Sequence, residues 1–189
     1  MTIERAMEYM FEGLKDELGL DLTDENFRET PQRVSRMYKE IFAGVPDTER
    51  QVQDILQSAF PCDRDSMIVM KDVETFSMCP HHFLPVHYIV HVGYIPSGKK
   101  VLGISKLIRL VDILAKRPVL QEQFVEDVTQ YLMTIDGCEG AVCIAEGKHY
   151  CMGMRGVKRP GATTTTSSMR GAFIRSPGVR EEFMQLIKK

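Results

Sequence analysis

The amino-acid sequence predicts an α+β fold with strands joined as hairpins and helices lying on one face of an antiparallel sheet. Two observations carry that expectation. Apolar residues recur at helical spacing in separate stretches, and between them lie runs rich in β-branched and aromatic residues that read as strands. The resulting order is two helices, two strands, two helices and two strands.

The first helix is expected over residues 3–18, where Ile3, Met7, Met10, Phe11 and Leu14 form an apolar stripe. A second starts at Thr30-Pro31, read as an N-cap followed by proline in the first turn. Its stripe is Val34, Met37, Tyr38, Ile41 and Phe42, and Gly44 suits its C-terminal cap. Pro46 and the polar stretch to about Gln53 read as a connector. MIVMKDVETF and YIVHVGYI then supply two strands. Residues 105–116 are helical, with Leu107, Leu110, Val111 and Leu114 on one side. Pro118 interrupts, and the next helix carries Leu120, Phe124, Val128 and Leu132. GAVCIAE and HYCMGMRG read as two further strands separated by a turn at Gly147-Lys148. TTTTSS is extended, and a short helix from about Pro177 closes the chain. The expected division is an N-terminal helical arm over residues 1–60 and a catalytic domain over 61–189. A sheet with so few strands has edges to cover, which leads us to expect assembly through them.

A net charge of −2 argues against general nucleic-acid binding, and no apolar run approaches the roughly 18 to 20 residues of a membrane span. The opening segment MTIERAMEYMFEGLKDEL mixes charges into its apolar positions, unlike a signal peptide. Five cysteines, an odd number, fit a reducing compartment and a cytoplasmic location.

The densest chemical cluster is Cys79-Pro80-His81-His82, in which Cys-x-x-His spacing lets a thiolate and an imidazole turn toward one metal ion. His149, Cys151, Gly153 and Arg155 occupy alternate positions of the segment read as a strand, and so are expected on one face. Cys79, His82 and one of the His149/Cys151 pair match catalytic zinc, which keeps a fourth position for water. The leftover histidines, His81 and His149, then suit general acid–base work. His87 and His91 are expected to face solvent or a neighbouring strand. Ser105, Lys106 and Arg109 fall at a helix start, where backbone N–H groups favour anions. Arg155 is expected near the zinc, with Arg33, Lys158, Arg159 and Arg170 as further cations. Glu122, after Gln121, could accept two hydrogen bonds from the N1–H and 2-amino edge of guanine. A rival reading is a structural zinc module that binds protein or nucleic acid.

Together ETPQRVSRMY, SMCPHHFLP, YIPSGKKVLGISKLIRLV, RPVLQEQ, HYCMGMRGV and TTTTSSMRGAF, spread over roughly residues 29–173, closely resemble GTP cyclohydrolase I. The resemblance implies the tunnelling fold, in which sheets of several subunits join into a barrel. It also implies a homodecamer of two pentamers with active sites at subunit interfaces. The implied reaction converts GTP and water to 7,8-dihydroneopterin triphosphate and formate. By the same resemblance Cys79, His82 and Cys151 hold Zn2+, and water activated there attacks C8 of guanine. His149 protonates N7, His81 assists and Ser105 serves the ribose rearrangement. Glu122 and Gln121 grip the guanine, while Lys106, Arg109, Arg155 and a neighbouring subunit's Arg33 hold the triphosphate. Three places depart from the pattern. Pro80 stands where glutamate is usual, Gln123 where arginine follows Gln-Glu, and Tyr88-Ile89 where a Gly-Lys turn is typical.

Overall fold

The computed structural model describes residues 1–63, 65–98 and 100–188. It divides into two compact units, Met1–Ala43 and Gly44–Lys189. In the first, helix α1 (Ile3–Leu18) opens at Thr2, whose side chain accepts from Arg5 N, and closes at Gly19 in the left-handed conformation. A 3₁₀ turn (Glu25–Phe27) leads to α2 (Thr30–Ile41), which packs on α1. No residue of α1 is fully buried within the unit.

The second unit begins with a helix that the sequence reading took for connector, α3 (Thr48–Leu56). Its polar composition hides an apolar stripe of only Val52, Ile55 and Leu56, of which Val52 is fully buried. Gly44, expected to cap α2, instead donates its N–H to Lys116 O, and Phe42 is the cap.

Two sheets follow. A short pair joins β1 (Ala59–Pro61) to β4 (Lys100–Leu102). The main sheet is four-stranded and antiparallel, ordered β2 (Ile68–Met78), β3 (Pro85–Pro96), β5 (Cys138–His149) and β6 (Thr164–Gly171). Between its halves run α4 (Ile104–Ala115) and α5 (Gln121–Leu132). Side chains alternate across a strand, so Ala141, Cys143 and Ala145 of β5 face one way and Val142 and Ile144 the other. The first set joins Leu107, Leu110, Leu114, Phe124, Val128 and Leu132 in the main core, which places α4 and α5 on that face. The opposite face carries a smaller cluster around Phe173 and Phe183, contributed by α7 (Ala172–Arg175) and α8 (Pro177–Ile187). This is the α+β arrangement with two helices on one sheet face that the sequence predicts.

A third expectation fails. GAVCIAE and HYCMGMRG are not two strands about a turn: β5 runs unbroken through Gly147 and Lys148 to His149, and residues Tyr150–Gly153 then form a helical turn, α6. Gly147 lies inside the ladder, opposite Tyr88 on β3 and Thr164 on β6.

Candidate active site

The hairpin loop between β2 and β3 is closed by its own backbone. Cys79 N donates to Leu84 O, and Phe83 N donates back to Cys79 O, both at 2.9 Å. Phe83 takes a positive φ of 52° in this tight loop. The closure holds Cys79 buried at the end of the sheet and leaves His81 and His82 exposed. Cys79 Sγ lies 3.6 Å from His82 Nδ1 and 3.9 Å from His81 Nδ1.

Cys151 arrives from α6, just past the end of β5, and the ligand atoms of Cys79, His82 and Cys151 all lie within 4.8 Å of one another. Alternation along a strand is therefore not what gathers the second cluster. His149 and Cys151 approach the loop across a helical turn, the space beside Gly153 is taken by Pro160, and Arg155 is exposed.

The donor set fits a metal ion. Bonds of about 2.3 Å to sulfur and about 2.0–2.1 Å to nitrogen at tetrahedral angles put the two donors about 3.6 Å apart, the separation seen between Cys79 and His82. Burial, and then the neighbouring Cys79 sulfur, push the Cys151 thiol above its ordinary value. A cation bound there would take the place of the Cys151 thiol proton.

Beside the trio lies a cleft of about 220 Å³ lined by Cys79, His81, His82, Glu122, His149 and Cys151, with Pro80, Val119, Leu120, Gln121, Met152 and Thr164 completing its wall. Glu122 and Gln121 reach it from the first turn of α5. His149 Nε2 is 2.8 Å from Gln121 Oε1. Burial lowers the His149 pKa, and the charge of Glu122 partly opposes that shift. Gln121, expected to grip guanine, has its amide engaged elsewhere: Nε2 donates to Ala145 O at 2.8 Å and Thr164 O at 2.9 Å.

Seven of the expected residues thus meet at one cleft: Cys79, His81, His82, Gln121, Glu122, His149 and Cys151. Ser105, Lys106 and Arg109 lie on α4 and do not line it. Arg109 instead borders a separate hollow with Asp54, Asp112 and Lys116. Arg33 is exposed on α2 and pairs with Glu29 at 3.4 Å. His87 stacks on Phe76 and faces Glu74, and buried His91 Nδ1 accepts from Asp72 N on β2. Of the apolar wall, Leu120 was expected on the buried stripe of the next helix but precedes α5 as its cap and stands exposed at the cleft, while Val119 and Met152 were not singled out in the sequence. Only the placement of Val119-Leu120 directly before Gln121-Glu122 hints at it.

An α+β chain with two thiols and an imidazole gathered at a cleft, and a further histidine and a carboxylate across it, defines the class: an enzyme built around a candidate metal centre. The profile of the GTP cyclohydrolase I family matches residues 4–188. A GTP cyclohydrolase 1 of Streptomyces griseus is 45% identical over 171 residues, 90% of this chain and 83% of the relative. One from Streptomyces avermitilis is 46% identical over 171 residues, with the same coverage. One from Dehalococcoides mccartyi is 39% identical over 189 residues, 100% of this chain and 98% of the relative. The chain belongs to the GTP cyclohydrolase I family, a family of hydrolases.

Proposed function

We propose that this protein converts GTP and water to 7,8-dihydroneopterin triphosphate and formate, the first step of a tetrahydrofolate and pterin route, with zinc at Cys79, His82 and Cys151. The observation that carries the reading is the meeting of that trio with Glu122 and His149 at one cleft. A zinc ion held there supplies a polarised water, a nucleophile near neutral pH. Every other part belongs to the chain. Val119, Leu120 and Met152 offer an apolar wall to the purine, and the Glu122 carboxylate accepts from guanine N1–H and the 2-amino group. His149 moves the proton at guanine N7, and His81 assists from the exposed side of the loop.

The triphosphate needs cations, and among the described residues no lysine or arginine lines the cleft. About 220 Å³ falls below the roughly 300 Å³ at which whole-ligand pockets begin. Ser105, serving the ribose, and Lys106 and Arg109 on the phosphates therefore come from a neighbouring subunit, with Arg155 and another subunit's Arg33. A homodecamer of two pentamers meets this need. Ile3, Tyr9, Met10 and Leu18 of α1 expose large apolar surface, which supports assembly. Residues 1–60 serve as a helical arm and 61–189 as the catalytic domain. The proposed location is cytoplasmic, without nucleic-acid or membrane partners; no helix among the described residues is long and apolar enough to cross a membrane.

Incubation of zinc-loaded protein with GTP tests the reading. One formate per dihydropterin triphosphate, both abolished by chelator, is the expected result. Folded, zinc-containing protein that releases no formate from GTP refutes it and moves the substrate to another purine.

A further inference from the structure

The sequence offers Gln121 as a second contact to guanine, but its side chain is otherwise occupied. The residue is 3% exposed, and both amide protons go to backbone carbonyls, Ala145 O on β5 and Thr164 O on β6. Those two acceptors fix which end of the amide is nitrogen. Oε1 is then the end that meets His149 Nε2, at 2.8 Å. A carbonyl oxygen has no proton to give, so Nε2 must be the donor.

The seat for this amide is Gly147. A Cβ there would collide with Gln121 Oε1 and press on the Tyr88 ring. Tyr88 stands opposite in the ladder, fully buried and stacked on Phe124 at 5.1 Å. Its ring fills one side of the row Tyr88–Gly147–Thr164, and the bare Gly147 leaves room for the amide. Glycine inside a strand weakens it, and close approach of another group is the usual reason to find one there.

We infer that Gln121, seated over Gly147, is a positioning residue that holds His149 by its Nε2–H and leaves Nδ1 as the ring nitrogen that exchanges a proton with the substrate. The inference rests on the proton-transfer role proposed for His149. In the neutral ring Nδ1 carries a lone pair, so it first accepts. As water adds across C8 and N7, the C8–O bond forms, Nδ1 takes the proton released from the water, and the same proton passes to N7. The ring ends as it began, and Gln121 keeps its bond throughout. A ring free to take the other tautomer has no acceptor at Nδ1 and misses the first transfer.

Two substitutions and one spectrum test this. Gln121→Met removes the amide at similar length, and Gly147→Ala evicts Oε1 from a position outside the cleft. Each is expected to lower kcat by about 10- to 100-fold, part of the usual reach of a positioned acid–base group. KM for GTP should stay within about twofold and metal content should match the parent, because neither change touches a binding group in this account. The double variant should be no worse than either single one. Magic-angle-spinning spectra of sedimented, 15N-histidine-labelled protein should show the His149 proton on Nε2 in the parent and both tautomers in Gln121→Met. A parent proton on Nδ1 overturns the inference, as does a Gln121→Met variant that raises KM and keeps kcat. Should Gln121→Met fail to fold, Gly147→Ala and the parent spectrum decide alone. A parent inactive on GTP would defeat the proposed function, yet the spectrum would still judge the tautomer.

Discussion

Replacing Cys151 by alanine removes one of three gathered donors and leaves the fold's main core untouched. The magnitude follows from the donor count. Structural zinc sites with four ligands bind with roughly 10–16 kcal/mol at neutral pH, so each ligand carries about 2.5–4 kcal/mol. At about 1.4 kcal/mol per tenfold, the variant should bind zinc two to three orders of magnitude more weakly than the parent. Stability should change little, because Leu107, Leu110, Phe124, Val128 and Leu132 form the core on α4 and α5, and Cys151 only packs at its margin. The same reasoning predicts that chelated parent stays folded. Zinc affinity is measured by competition with a chromophoric chelator, and folding by circular dichroism before and after metal removal. A Cys151→Ala protein that keeps parental zinc affinity would show that the third ligand is another group, with His149 the first suspect. Wholesale unfolding on chelation would make the site a structural one and sink the argument for an open coordination position.

Arg109→Ala should mainly raise KM for GTP with kcat little changed, because a phosphate contact stabilises ground and transition states alike; unchanged GTP affinity would remove Arg109 from the anion site. The His149 ring, held below its ordinary value of 6.5 chiefly by burial, predicts a pH slope. The unfolded chain takes up this proton first as pH falls, so the metal-free protein keeps its stability above about pH 6.5 and loses some as pH drops through the lower folded value. His149→Gln should flatten that part of the curve in denaturant titrations, and parallel curves would refute the assignment.

Much of the fold was legible because helical periodicity and β-branched runs are local signals. The faces of α4 and α5 were visible in Leu107, Leu110, Val111, Leu114, Phe124, Val128 and Leu132, all fully or almost fully buried. What failed was non-local. Gly147-Lys148 has turn chemistry, but its backbone is held on both sides by Tyr88 and Thr164, distant in sequence, and the ladder overrides the local preference. Helix α3 escaped notice because only Val52, Ile55 and Leu56 mark its buried side. The metal trio was legible for a mixed reason. Cys79 and His82 sit in one short loop whose spacing shows in sequence, whereas Cys151 was drawn in by an alternation that the helical turn at Tyr150–Gly153 does not obey.

Pro80, Gln123 and Tyr88 each have a physical role beside the site, and each leaves the trio in place. Pro80 lines the cleft within a loop already closed at Cys79 and Leu84, so its missing N–H costs that closure nothing. Gln123 turns away from the cleft and donates to Asp127 Oδ1 at 2.7 Å. The other oxygen of Asp127 meets Arg117 Nη2 at 2.6 Å, and Arg117 O in turn accepts from Ser77 on β2. Gln123 therefore steadies the link that ties the α4–α5 turn to the sheet, just before the residues that wall the cleft. Tyr88 is the bulkiest of the three, and it does not line the cleft. It stacks on Phe124 beneath α5 and faces the His149 ring edge-on at 6.4 Å. A bulky ring at that point would displace Gln121 if residue 147 carried a side chain. Tyr88 and Gly147 are thus two halves of one packing solution, and a substitution at either is felt at His149 through an amide that touches both.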